Sequence, residues 1–216
     1  MADSFTPLDR DGMAARAARD IPEGWVVNLG IGIPTEVGNF IPDDREVILH
    51  SENGVIGAGP APAPGQVNPY LVNAGTQPIT LRIGAGYVHH ADSFAIARGG
   101  HLDLTVLGAF EVSETGDLAN WARAAHEPVK QIGGAMDLAI GAKRLWVIME
   151  HTTKDGAPRL RRRCSYPLTA KGAVKRVYTN LAVLDVTPGG FVVRDIIPGL
   201  SFEGLQARTE ARLSRE

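Results

Sequence analysis

The side chain best placed for chemistry in this sequence is Glu52, within the stretch HSENGVIGAGP at residues 50–60. It stands between the apolar, β-branched run EVILH (46–50) and glycines at 54, 57 and 59. A carboxylate at the end of a strand has three roles open to it: acceptor for nearby N–H groups, general base, or nucleophile toward an activated carbonyl. Gly54, Gly57 and Gly59 are expected to leave Glu52 without bulky cover, so that a large substrate reaches it and exposed N–H groups can hold an oxyanion. Local sequence leaves all three roles open. A second candidate is NLGIGIP (28–34), in which Gly30 and Gly32 let backbone approach a ligand and the helix start behind them offers N–H groups to a phosphate. The third glycine of a dinucleotide fingerprint is missing and Pro34 occupies the helix entry, which disfavours a nicotinamide cofactor. Plain turn glycines are the competing reading.

Other reactive residue types read as bystanders. His89, His90, Asp92 and Ser93 carry the letters of a hydrolytic triad, but so close on one turn they do not align, and helix capping by Asp92 or Ser93 is expected. His101, His126 and His151 lack ligand spacing, so no metal site is expected. Cys164 is the single cysteine, so no internal disulfide forms, and the thiol reads as inert despite Arg161, Arg162 and Arg163 beside it.

The elements that must position these groups follow from hydrophobic periodicity. A loose start at 1–9 leads to a helix at 13–21. A glycine-ended strand at 25–33 and a short helix from Pro34 follow. The run 46–50 suits a buried strand of a parallel sheet, with Glu52 just past its carboxyl end. The proline- and glycine-rich stretch 58–69 is a loop. Then come a strand at 79–83, a helix at 90–98, a strand at 102–107, a helix at 134–142 and a strand at 145–149. A hairpin of 180–186 with 191–197 and a helix at 202–213 close the chain. This alternation predicts an α/β fold: an open, mostly parallel sheet with helices on both faces and a C-terminal hairpin and helix, in a single domain over 1–216. Ligands of such sheets bind at the carboxyl ends of the strands, where both glycine clusters lie.

Composition narrows the partners. With 216 residues, 44% of them hydrophobic, the chain can bury one sizeable core. A formal net charge of -2 supplies no basic field for nucleic acid or anionic lipid, so small molecules and other proteins are the expected partners. The three arginines at 161–163 read as a loop or subunit contact. No apolar run approaches the roughly 20 residues needed to cross a bilayer, and no leader is recognisable, which gives a cytoplasmic expectation.

Taken together, SENGVIGAGP, NLGIGIPT (28–35), LVNAG (71–75), HHADSFAIARGGHLDLTVLGAFEVS (89–113), GDLANW (116–121), GGAMDL (133–138) and YPLT (166–169) resemble the class I coenzyme A transferases, specifically the β subunits of 3-oxoacid CoA-transferases. The resemblance runs in order over nearly the whole chain. It implies the fold of that family, of the NagB-RpiA-like type, which also occurs among sugar-phosphate sensors. It makes Glu52 the nucleophile, which forms a glutamyl-CoA thioester in a ping-pong exchange, and Gly134 an oxyanion N–H donor. It also implies that Gly30 and Gly32 pack against CoA, with Asn53 and Asn73 as polar neighbours and Lys130 as a cation for a CoA phosphate or carboxylate. No tightly bound cofactor and no metal are implied, with coenzyme A and acyl-CoA entering as substrates. A homologous α subunit should complete the pocket in an α2β2 assembly. The segment GAGYVHHADSF and the short loop after Glu52 resemble 3-oxoadipate enzymes more than acetoacetate enzymes, with succinyl-CoA the donor in both, and Arg82, Arg98 or residues of the α subunit are candidate cations for a second carboxylate. An acyl-CoA hydrolase on the same glutamate and a non-catalytic binding module of the same fold are the alternatives.

Overall fold

The computed structural model describes residues 4–123 and 133–215. Helix α1 (Arg10–Asp20) is capped by Asp9, whose carboxylate accepts from the Gly12 N–H at 2.8 Å, and it buries Met13, Ala14, Ala17 and Ala18. It leads into β1 (Val26–Leu29), α2 (Ile33–Glu36), a 3-10 turn over Val37–Phe40, β2 (Ile48–Ser51), β3 (Val55–Ala58), β4 (Leu81–Tyr87) and α3 (His90–Arg98). The chain continues through β5 (Leu104–Leu107), β6 (Glu111–Ser113), β7 (Leu118–Ala119), α4 (Ala135–Gly141), β8 (Leu145–Met149) and β9 (Leu160–Arg161). It ends with β10 (Val174–Thr179), β11 (Ala182–Thr187), β12 (Gly190–Ile196), α5 (Phe202–Gln206) and β13 (Leu213–Arg215).

Ten strands form one sheet in the order β13-β12-β11-β10-β8-β5-β1-β2-β3-β4. The five from β10 to β2 are mutually parallel, while β3 and β4 on one flank and β11 and β12 on the other are added through antiparallel pairings, and β13 lies parallel to β12 at the edge. The expected α/β sheet is thus borne out. All five residues of β8 are buried, as a central parallel strand requires. Trp146 and Ile148 pack with Leu104, Val106 and Tyr178 beneath α1, whereas Leu145, Val147 and Met149 pack with Val177 and Leu184 on the opposite face. Helices α3 and α4 join through Ala97, Leu102 and Leu138, and β6, β7 and β9 make a small second sheet. Because β1 is flanked by β2 on one side and β5 on the other, chain direction across the sheet reverses at β1, and a crevice opens beyond the carboxyl ends of β1 and β5.

Three expectations need correction. Residues 4–9 are not loose: the Leu8 N–H donates to Asn180 O at 2.9 Å, Phe5 lies under Arg208, and a Cβ on Gly199 would come closer than 3.0 Å to the Ser4 carbonyl. The last helix stops at Gln206 rather than 213, because the Gln206 amide donates to Thr209 O and Ala211 O and accepts from the Leu213 N–H, turning the chain into β13. The glycine-rich stretch after Glu52, read as open, contains strand β3.

Candidate active site

Glu52 is the first residue of a three-residue hairpin loop, since Ser51 at the end of β2 pairs directly with Val55 at the start of β3. The Gly54 N–H donates to Ser51 O at 2.9 Å and closes the turn. Gly54 sits at φ 112°, a conformation that glycine adopts at little cost. Its Cβ, if it had one, would come closer than 3.0 Å to the Val88 carbonyl. Gly59 faces Thr80 with the same lack of room, and Gly57, at φ 83°, lies against Ala85. These glycines therefore let β3 pack on β4 and hold the loop, a different task from leaving Glu52 uncovered.

A buried polar chain backs the loop. Asn28 Nδ2 lies 3.1 Å from His50 Nδ1 and 3.2 Å from the His50 carbonyl, and Ser93 Oγ lies 2.9 Å from His50 Nε2 and 3.4 Å from Ser51 O. An amide N–H donating to Nδ1 makes that nitrogen the acceptor, so the proton sits on Nε2 and points at Ser93, whose hydroxyl then donates to Ser51 O. Burial holds the His50 pKa below its ordinary value, in keeping with a neutral ring. Ser51 Oγ accepts from the Ala74 N–H at 3.0 Å, and Asn53 Nδ2 donates to Val72 O at 2.8 Å. Both residues beside Glu52 are thus tied to the loop at 71–75.

The Glu52 carboxylate itself has no hydrogen-bond partner among the described residues, which removes the capping role left open by the sequence. It lines a cavity of about 480 Å³ at the ends of β1 and β5, together with Gly30, Ile31, Gly108, Gly134, Arg123 and Arg159. Loss of water pushes its pKa up, against the opposing pull of His90. Glu52 Oε1 lies 3.6 Å from where a Gly134 Cβ would stand. Such a Cβ would run into the Phe94 ring, at 2.5 Å from Cε1. The ring is braced edge-on by His90 at 4.9 Å and by Arg98 at 5.4 Å, and Arg98 forks onto Asp137 with two bonds of 2.9 Å that tie α3 to α4.

Among the residues singled out from sequence, Glu52, Gly134 and Gly30 meet in this cavity. A Cβ on Gly30 would stand 2.8 Å from Leu107 Cδ2 and 3.1 Å from the Val106 carbonyl, so the packing of the strand ends also favours glycine there. Gly32 is at φ 98° at the entry to α2 with open space around it. Asn73 lines a separate cavity, and its Oδ1 accepts the Gly75 and Gln77 N–H groups as an Asx-turn. Lys130 and His126 lie outside the described residues. Arg82 approaches Asp43 at 3.8 Å and, like Arg98, does not line the Glu52 cavity. The cap of α3 is the His89 ring, accepting from the Ala91 N–H, rather than Asp92 or Ser93. Sequence reasoning missed Arg123 and Arg159, whose approach depends on β6 and β9, strands too short to leave a periodic signal. It also missed the role of His50 and Ser93, though both stood in quoted stretches. No group of three or more potential metal ligands occurs among the described residues, and no helix there is long and apolar enough to cross a membrane.

The family described as "Coenzyme A transferase" matches residues 10–207. The chain is 50% identical over 210 residues to the β subunit of the 3-oxoadipate CoA-transferase of Acinetobacter baylyi, covering 97% of each chain. It is 48% identical to the β subunit of a probable succinyl-CoA:3-ketoacid coenzyme A transferase of Bacillus subtilis, covering 94% of this chain and 93% of that one. In structure it resembles the acyl-CoA transferase YdiF of Escherichia coli O157:H7, with a TM-score of 0.75 at 20% identity over all of this chain but only 43% of the other.

Proposed function

The chain belongs to the coenzyme A transferase family, as the β subunit of a CoA-transferase, and from that premise we propose that Glu52 carries a ping-pong exchange of CoA between succinyl-CoA and a 3-oxoacid, 3-oxoadipate or acetoacetate. The observation that carries the proposal is the state of Glu52: a carboxylate without a hydrogen-bond partner among the described residues, stripped of water, in a cavity at the switch point of the sheet and beside Gly134. Desolvation makes such a carboxylate a stronger base and a stronger nucleophile than one in water.

A carboxylate oxygen of Glu52 attacks the thioester carbonyl, and its electron pair forms a C–O bond while the carbonyl oxygen takes up the negative charge. The C–S bond then breaks, leaving a mixed anhydride and CoA thiolate. The thiolate adds to the glutamyl carbonyl, the anhydride C–O bond breaks, and the first acid departs as its carboxylate. Glu52 now holds CoA as a thioester, and the second acid runs the same steps in reverse. No net proton is exchanged. The Gly134 N–H is the proposed donor to the oxyanions, a contribution of about 3 kcal/mol for one well-aimed donor. Gly30, Gly32, Asn53, Asn73 and Lys130 are the proposed contacts of the CoA side. In this reading Asn53 and Asn73 act by holding the 71–75 loop over the site. Ile31, 69% exposed at the mouth of the cavity, and the size of the single-chain relative, of which this chain spans 43%, support a homologous α subunit that closes the pocket, in an α2β2 assembly.

The test is to mix the chain with its α subunit and succinyl-CoA, trap the intermediate with hydroxylamine or borohydride, and map the modified peptide by mass. A hydroxamate or reduced side chain at Glu52 is expected. Modification at another residue, or an active complex with Glu52 unmodified, refutes the proposal, and CoA release without any acid acceptor identifies a hydrolase.

A further inference from the structure

Among the described residues Glu52 is the only carboxylate lining its cavity, and it shares that lining with two cations, Arg123 and Arg159. Arg123 lies over the Phe110 ring at 4.9 Å. Arg159 is half-buried and held by its backbone on both sides: its N–H donates to His151 O at 3.1 Å and its carbonyl accepts from the Val112 N–H at 3.0 Å. The Arg159 guanidinium, by contrast, makes no hydrogen bond, ion pair or ring contact among the described residues. A cation taken partly out of water without a counter-ion is destabilising unless something else supplies the charge. Both arginines line the same cavity as the Glu52 carboxylate. Arg98 is committed to Asp137, and Arg82 lies outside the cavity.

We propose that Arg159 is a specificity-determining residue that grips the distal carboxylate of a short aliphatic diacid whose reacting carboxyl group is at Glu52. The planar guanidinium matches a carboxylate with two parallel hydrogen bonds, and a cavity of about 480 Å³ is of small-ligand size. The proposal rests on the reading of Glu52 as the exchanging residue, and it adds to that reading the side chain that selects a diacid over a monocarboxylic acid.

The experiment uses the complex with the α subunit, acetoacetyl-CoA as donor, and succinate or acetate as acceptor, for wild type, Arg159→Gln and Arg159→Lys. Loss of a charge-assisted hydrogen bond predicts that Arg159→Gln lowers the ratio of kcat/KM for succinate to that for acetate by roughly 10- to 100-fold. Arg159→Lys, which keeps the charge but not the fork, should restore part of that ratio. An equal loss on both acids, or a rise in KM for the thioester donor alone, overturns the proposal and assigns Arg159 to CoA. Calorimetric binding of succinate without any thioester separates the two readings: it should weaken in Arg159→Gln and persist in Glu52→Ala. If wild type exchanges nothing yet binds succinate through Arg159, the Glu52 reading fails while the arginine stands. Undiminished succinate binding in Arg159→Gln sinks the arginine alone.

Discussion

Gly54→Ala tests whether the Glu52 loop is held by backbone packing, and Gly24→Ala supplies the reference. Both glycines have positive φ, at 112° and 79°, so an alanine at either position carries a conformational penalty of about 1–2 kcal/mol. Around Gly24 nothing lies within 4 Å of a built Cβ, and the cost ends there. At Gly54 the Cβ meets the Val88 carbonyl, a backbone atom fixed by the Val88 N–H bond to Gly54 O at 2.9 Å, so the hairpin must part from the segment after β4. Overpacking of this kind adds about 1–3 kcal/mol. For a chain of this length each kcal/mol lowers Tm by about 2–4 °C, so thermal melts should place Gly54→Ala below Gly24→Ala by about 2–12 °C. The displaced loop also carries Glu52, and a shift of about 1 Å at a reacting group costs about 100-fold in rate. Exchange by the folded fraction of Gly54→Ala should therefore collapse, while Gly24→Ala stays near wild type. Equal melting temperatures, or a Gly54→Ala complex with wild-type kcat, would refute the role given to Val88 and the loop.

Gly134→Ala, at an ordinary φ of -88°, should fold but lose about 100-fold or more in kcat, because its Cβ displaces either Phe94 or the N–H beside Glu52. Adding Phe94→Leu should recover part of the rate, and no recovery would show that the ring is not the obstacle. His151, bonded to Thr179 and Thr209, has its pKa lowered by burial to about 4. The unfolded chain takes up that proton below its ordinary value of 6.5 and the folded chain only near 4, so stability falls as pH drops through this window, by about 3 kcal/mol in full. Urea unfolding at pH 7.5 and 4.5 should show a drop in wild type that is larger than in His151→Gln, whereas equal drops would acquit the histidine. Burial, with Glu111 and Asp117 near, pushes the Cys164 thiol up to about 12. Iodoacetamide at pH 8 should then label the native protein far more slowly than the urea-unfolded chain, and equal rates would contradict that environment.

What the sequence made legible follows from how each element stores its information. Helix α3 and strand β8 fall at 90–98 and 145–149 as expected, since a helical period and an unbroken apolar run are local signals. Strand β3 is hidden because Gly57 within it and Gly59 just past it serve close contacts with Ala85 and Thr80, far along the chain, and glycine reads locally as loop. The two-residue strands β7 and β9 exist only through long-range pairing, as when β9 joins β6 near residue 112. Glu52 stands out locally as a carboxylate at a strand end, its role and Gly134 follow only from the resemblance, and Arg159 is invisible without the cavity whose lining it shares with Glu52.

The surroundings of Glu52 divide into a part that fixes the backbone and a part that leaves the side chain bare, and exchange chemistry needs both. Fixing the backbone falls to neutral groups: Ser93 and Gly54 on Ser51 O, the Ala74 N–H on Ser51 Oγ, and Asn53 on Val72 O. Had the same N–H and O–H groups donated to the Glu52 carboxylate, they would have stabilised its charge, lowered its pKa and blunted its nucleophilicity. Aimed at the neighbouring peptide and side chains, they position the residue without that loss, and desolvation remains the dominant influence on its pKa. A neutral His50 is part of this logic, because an imidazolium two residues before Glu52 would favour the ionised carboxylate and return it to a more acidic, less reactive state.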